Sequence, residues 1–207
     1  MRVLWISVVC ALALNLGACT AVVMETARKA REDRSTDHQW TDTQIATSIL
    51  SDLNEKDSGL LLDVSVDVWE KRVLLTGTVT AQQMRQDLVR HVKADPRVLK
   101  VHDEIQVLSK EEQARRRAAA KPAPTQREGT DRVISDVWIE TKISAQLIAA
   151  QNVTSVNYRW RAVRSTVYLI GRAQSRSELN AVLGIVLGTD GVAQVKTFIE
   201  VKPAAKS

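Results

Sequence analysis

Ile45, Ile49 and Leu53 recur every four residues, the spacing of one helix face, with Asp42 placed to cap the start. Beyond them the period changes from helical to alternating. Val64, Val66 and Val68 alternate with other residues, as do Val73, Leu75, Gly77 and Val79, around a turn at Trp69-Glu70-Lys71-Arg72. That pattern predicts a β-hairpin, with Asp63 and Asp67 at solvated strand positions. A second helix follows with Met84, Leu88, Val89 and Val92 inward; Pro96 ends it, and Val101, Ile105 and Val107 close as a third strand. The expected order is α-β-β-α-β, an α+β unit with two helices on one face of a three-stranded sheet.

The same pattern is then written again. Gly77 and Gly171 stand 94 positions apart, and that offset pairs 42–107 with 136–201 without a gap. Identical pairs include Asp42/Asp136, Ile45/Ile139, Ile49/Ile143, Leu53/Leu147, Val73/Val167, Leu75/Leu169, Val92/Val186, Val101/Val195 and Ile105/Ile199. Most are apolar, as expected when a core is copied while a surface drifts. Solenoid repeats have periods of roughly 20–50 residues, so this unit is a small domain, near the lower size limit for an independent core.

The start of the chain points to a compartment. Met1-Arg2 is a short basic start and Val3 to Leu16 a mostly apolar run, too short for the ~20 residues of a membrane span but proportioned as a secretory signal. Leu16-Gly17-Ala18-Cys19 resembles the lipobox of bacterial lipoproteins, in which Cys19 would carry acyl chains inserted in lipid. By the same resemblance, Thr20 rather than Asp favours the outer membrane, facing the periplasm. Cys10 leaves with the signal, so no thiol remains for a disulfide, metal or redox role. The organisation expected is a signal peptide at 1–18, a lipidated tether at 19–36, repeats at 37–108 and 131–202, a linker at 109–130 and a tail at 203–207. The linker begins charged and alanine-rich, a short helix leaving the first repeat, and passes into the extended Lys121-Pro122-Ala123-Pro124.

Charge divides the copies. Residues 37–108 carry 8 basic and 12 acidic groups, a net of −4, whereas 131–202 carry 9 and 6, a net of +3. Basic surface attracts polyanions, and in the envelope nucleic acid is the least available of these.

The segments Val73-x-Leu75-x-Gly77-x-Val79, an amphipathic helix and Val98-x-x-Val101-x-x-x-Ile105-x-Val107 resemble the BON domain. The second copy matches with Val167-x-Leu169-x-Gly171 and Gly191-Val192-x-x-Val195-x-x-x-Ile199-x-Val201. The resemblance implies two tandem αββαβ domains, each with a three-stranded mixed sheet. With the lipobox it extends to dual-BON outer-membrane lipoproteins that support envelope integrity. This chain departs from the family in its hairpin turns, which lack the usual glycine.

Little in the sequence announces catalysis. His38, His91 and His102 have no histidine counterparts in the second copy, and no Cys/His metal spacing, Gly-rich phosphate loop or Ser/His/Asp set is present. The expectation is a non-enzyme without metal or cofactor.

The copies diverge where function is expected. Trp138 pairs with Gln44, Val137 with Thr43 and Ile148 with Asn54. A position holding Gln in one copy should face solvent in both, which makes Trp138 an exposed aromatic with Lys142 one turn away, a pair suited to a membrane interface. Packing of Trp138 against the linker or the other domain is the competing reading. In lipid-binding members of the resembled family the second domain's first helix contacts anionic phospholipid, which here implies Val137, Trp138, Thr141 and Lys142. Glu140 stands against that assignment. Arg159, Arg161, Arg164, Arg172 and Arg176 form a basic patch or pair with the acidic first domain. Residues 181–187 are apolar nearly all round, implying burial on more than one side, and Tyr168, Ile170 and Phe198 replace Leu74, Thr76 and Glu104 on the outer sheet face. One of these surfaces is expected to dock the first domain; the other, left open, would suit protein partners in envelope assembly.

Overall fold

A computed structural model of the chain describes residues 32–120 and 136–203, with the folded unit beginning at Arg34. The signal segment, Cys19, most of the tether, the later half of the linker and the end of the tail lie outside the described residues.

In the first domain α1 (Thr36–Lys56) is capped by Ser35, whose hydroxyl accepts the His38 N–H at 3.2 Å. A single turn, α2 (Leu60–Asp63), leads into β1 (Val64–Trp69) and β2 (Arg72–Val79); α3 (Gln82–Ala94) and β3 (Lys100–Val107) complete it. The second domain repeats this as α5 (Asp136–Ala149), a 3-10 turn at Ser155–Asn157, β4 (Tyr158–Val163), β5 (Thr166–Ala173), α6 (Arg176–Leu187) and β6 (Gln194–Val201). In each sheet the middle strand is β2 or β5, antiparallel to the strand before it and parallel to the last. The parallel crossover is made by α3 or α6. Ile45, Ile49 and Leu53 pack on Val73, Leu75 and Ile105 in one core, and Ile139, Ile143 and Leu147 on Val167 and Leu169 in the other. The linker helix α4 (Lys110–Ala120) lies on the first domain. There Arg117 pairs with the buried Asp63, and the Gln113 amide donates to the Thr78 carbonyl at 3.2 Å.

Asp42 is not a helix cap. It lies inside α1, buried, and its carboxylate accepts the N–H groups of Glu70 and Lys71, both at 2.7 Å. Asp136 does the same for Arg164 (3.0 Å) and Ser165 (3.1 Å). Those residues are the hairpin turns, with left-handed φ of 48° and 62° in the first copy and 52° and 61° in the second. Such turns ordinarily take Asn-Gly. Here a carboxylate from the first helix, buried in the first copy and partly buried in the second, holds two donors of a turn built without glycine, and the identical Asp42/Asp136 pair follows from that geometry.

The glycine shared by the copies has a different cause. Gly77 has φ +111° and a Cβ there would stand 2.0 Å from the Asp63 carbonyl oxygen; at Gly171 (φ +153°) the distance to the Asn157 oxygen is 2.1 Å. No side chain fits at either position.

The sheets pack face to face through Trp69 and Leu74 of one domain and Val163, Tyr168, Ile170 and Phe198 of the other. With a helix layer on each outer side, the two domains form an α/β/β/α sandwich. The 94-residue offset exposes the symmetry of this contact. Asp67 and Arg161 are equivalent positions and pair with each other at 3.0 Å, as residues on a two-fold axis must. Glu104 meets Lys196 at 2.7 Å, and the mate of that contact brings His102 against Phe198 with ring centroids 4.3 Å apart. Arg72 donates to the carbonyls of Phe198 (2.8 Å) and Gly171 (3.1 Å), and Glu70 meets Lys202 (3.0 Å) and Arg172 (3.7 Å). Asp67 is therefore buried at 6 % exposure rather than solvated, and Asp63 likewise.

Candidate functional site

The expected site is the first helix of the second domain, and the structure redistributes its residues. Val137 is open, 55 % exposed, and the exposed Thr141 donates its hydroxyl to the Val137 carbonyl at 2.8 Å. Trp138 is not an exposed aromatic: it is half-buried, its ring packed on the rim of the second core. The exposed Lys142 lays its ammonium 4.6 Å from the ring centroid. A cation over an indole face is worth about 0.5–1 kcal/mol at such a site. The ring's burial follows from the helical period. Trp138 stands next to the inward Ile139, so its large ring can reach back onto the rim of the core where the equivalent Gln44 stays in solvent.

Glu140, the residue that argued against a lipid-facing helix, points the other way. Its carboxylate accepts the Ala162 N–H at 2.8 Å and its carbonyl accepts the Trp160 indole N–H at 3.2 Å. Burial pushes its pKa up, opposed by that Ala162 hydrogen bond. The other acids of the two helices are also turned inward. Asp136 holds the hairpin turn, and the buried Glu178 accepts the N–H groups of Thr154 (2.8 Å) and Gln174 (2.7 Å). So every carboxylate of α5 and α6 is engaged with the backbone of its own domain, while Lys142 and Arg176 are exposed.

The arginines do not make an open patch. Arg161 pairs with Asp67, Arg172 with Glu70, and Arg164 donates to the Gln106 side chain at 3.3 Å. Arg159 stands 5.3 Å over the Trp69 ring. These four are spent on docking, and Arg176, exposed at the start of α6, lies apart from them. The expectation that 181–187 is buried on several sides also fails. Tyr168, Ile170 and Phe198 dock the domains, while Gly184 is exposed and Leu187 is 60 % exposed. Ile148 at the end of α5 is 71 % exposed. The signal for both was in the copy comparison, since their partners are Asn54 and Lys93.

Among the described residues no group of three or more His, Cys, Asp or Glu side chains is placed to hold a metal ion, and no helix is long and apolar enough to cross a membrane.

The BON domain matches this chain twice, at residues 41–109 and 135–203. The chain belongs to the BON-domain family. It is 34% identical over 157 residues to an uncharacterized protein from the gshII 5′ region of Anaplasma centrale, covering 75% of this chain and 93% of that one. It is 25% identical over 161 residues to the osmotically-inducible protein Y of Escherichia coli, covering 78% and 73%. Solved structures of CdsD, a structural protein of the type III secretion system of Chlamydia trachomatis, align at 13% identity with TM-scores of 0.30 and 0.32. They cover 76% and 75% of this chain and 92% and 96% of theirs, and likenesses at those scores carry no argument.

Proposed function

We propose that this BON-family protein is a non-catalytic lipoprotein of the outer membrane, anchored by acyl chains on Cys19 and facing the periplasm. In this reading the second BON domain binds anionic phospholipid and the protein supports envelope integrity. The observation that carries it is the Trp138–Lys142 pair on a helix layer whose carboxylates are all turned inward. An indole beside an ammonium suits the head-group region, where the ring finds an amphipathic boundary and the cation an anionic neighbour. An outward carboxylate would oppose both, and none is presented by α5 or α6. The osmotically inducible relative is in keeping with a role in the envelope.

The test is cosedimentation with phosphatidylglycerol-containing vesicles, using the chain without its signal segment and with Cys19→Ser. Trp138→Ala and Lys142→Glu should each weaken binding several-fold. Failure of the parent to bind, or unchanged binding by both variants, sinks the lipid claim. A second reading, an adaptor for envelope proteins, is favoured by one observation: Leu187 and Ile148 remain open after the domains dock. It predicts capture of a protein partner and indifference to lipid charge.

A further inference from the structure

The apolar exposure of the second domain does not stop at Trp138. Between the exposed polar Gln146, Ser177 and Asn180, the outward positions of α5 and α6 include Val137, Thr141, Ala145, Ile148, Gly184 and Leu187. Their partners in the first domain are Thr43, Thr47, Ser51, Asn54, Arg90 and Lys93, also on the outer side of its helices. At most of these positions the layer is polar or charged in the first copy, whose α1 nevertheless exposes Trp40 and Leu50, and more apolar in the second, which adds the exposed Lys142 and Arg176. Exposed apolar surface with two cations and no outward acid on either helix, the exposed Asp190 lying just beyond α6, is complementary to an anionic lipid surface. The sandwich adds direction. Because the sheets face each other, the two helix layers look opposite ways, so a bilayer under the second would leave the helix layer of the first in water.

Resting on the lipid reading above, we infer that the whole helix layer of the second domain, α5 and α6 together, lies against the anionic bilayer, with Ile148 and Leu187 entering the acyl boundary. Trp138 and Lys142 then mark the head-group level of a flat footprint rather than a single-helix site.

The experiment is the same cosedimentation with Ile148→Glu, Leu187→Glu and the uncharged Leu187→Gln, against the charge-matched Asn54→Glu and Gln86→Glu on the first domain. Ile148→Glu and Leu187→Glu should each weaken binding about tenfold, Leu187→Gln at least threefold, and the first-domain controls less than about twofold. An environment-sensitive fluorophore on Leu187→Cys should shift to the blue when phosphatidylglycerol vesicles are added and stay put with phosphatidylcholine alone. If Trp138→Ala and Lys142→Glu lose binding while the Ile148 and Leu187 variants keep it, the footprint is overturned and the lipid reading stands. If the parent binds no vesicle, both fall. Concentration-dependent self-association lost in Leu187→Glu, without vesicle binding, would make the face a contact between copies of this chain and overturn both.

Discussion

The first and second domains share a fold, a turn-holding aspartate and an obligatory glycine, yet they differ at nearly every position that leaves the core. The contrast is sharpest where they touch. Asp67 and Arg161 are the same position in the two copies, set against each other on the pseudo-two-fold axis. Two first domains docked this way would bring Asp67 against Asp67, and two second domains Arg161 against Arg161. Like charges in a buried contact cost several kcal/mol. The divergence therefore does two things at once: it makes the contact specific for unlike copies, and it commits Arg159, Arg161, Arg164 and Arg172 to that contact while Arg176 stays exposed. What remains outward on that domain is its more apolar helix layer.

The largest effect should come from breaking the axis pair. Asp67→Arg sets a buried Arg against Arg161 and close to Arg159, and breaking such a pair costs about 3–5 kcal/mol. Urea unfolding followed by intrinsic fluorescence should separate into two transitions as the domains uncouple. The exchange Asp67→Arg with Arg161→Asp should restore a single transition, because the axis makes the positions interchangeable. If the double variant stays uncoupled, the pseudo-symmetric reading of the contact is wrong.

Next come the paired glycines, where the copies should respond alike. Gly77→Ala and Gly171→Ala each drive a Cβ into a backbone carbonyl at left-handed φ, so each should cost about 3 kcal/mol or more. Thermal melts of the two variants would separate a shared constraint from a copy-specific one. A loss under about 1 kcal/mol in either would mean the strand can shift aside.

A smaller loss is expected at the turns. Asp42→Ala and Asp136→Ala each strand two N–H donors over a turn of non-glycine residues, for roughly 2 kcal/mol. Asp42 pairs at 2.5 Å with Arg34, whose side chain is 6 % exposed, whereas Asp136 meets the partly exposed Arg116 only at 3.6 Å, so removing Asp42 should cost more than removing Asp136. Replacing Lys71 with glycine in the Asp42→Ala background should recover part of the loss, since glycine adopts the left-handed conformation without help.

Much of this was legible in the sequence. Periodicity located the strands and helices, and the 94-residue offset sorted shared core from drift. Asp42 was misread because a carboxylate ahead of an apolar run looks like a cap, whereas its partner lies 28 residues away in a hairpin turn. The arginines were ambiguous for a related reason. Composition gave two domains of opposite charge, but whether the charges meet depends on which sheet face docks, a long-range matter. Gln44 suggested that Trp138 was exposed; a large ring can fold back onto a core that a polar residue leaves alone. Residues 181–187 misled because an apolar run reads the same whether it meets protein or looks outward.

The smallest effect tests whether the docked contact senses pH. His102 lies against Phe198, and burial lowers its pKa from the usual value near 6.5, with Lys100 and Arg72 adding to the shift while Glu104 and Glu200 oppose it. A folded-state pKa below the unfolded one means the unfolded chain binds the proton more readily. Stability is then fully present above the unfolded pKa and falls as pH drops from about 6.5 toward the folded value. Asp67 works in the opposite sense. Burial raises its pKa from 3.8, against the pull of Arg161 and Arg159, so ionising it weakens docking as pH rises through its folded pKa from the acid side. Between pH 7.5 and 5.5 the His102 contribution should therefore appear as a loss of less than about 1 kcal/mol. His102→Gln should flatten that slope while leaving the ion pairs in place. A slope unchanged by the substitution would assign the pH dependence to groups outside the contact, and the two domains would then differ in charge without the contact between them sensing it.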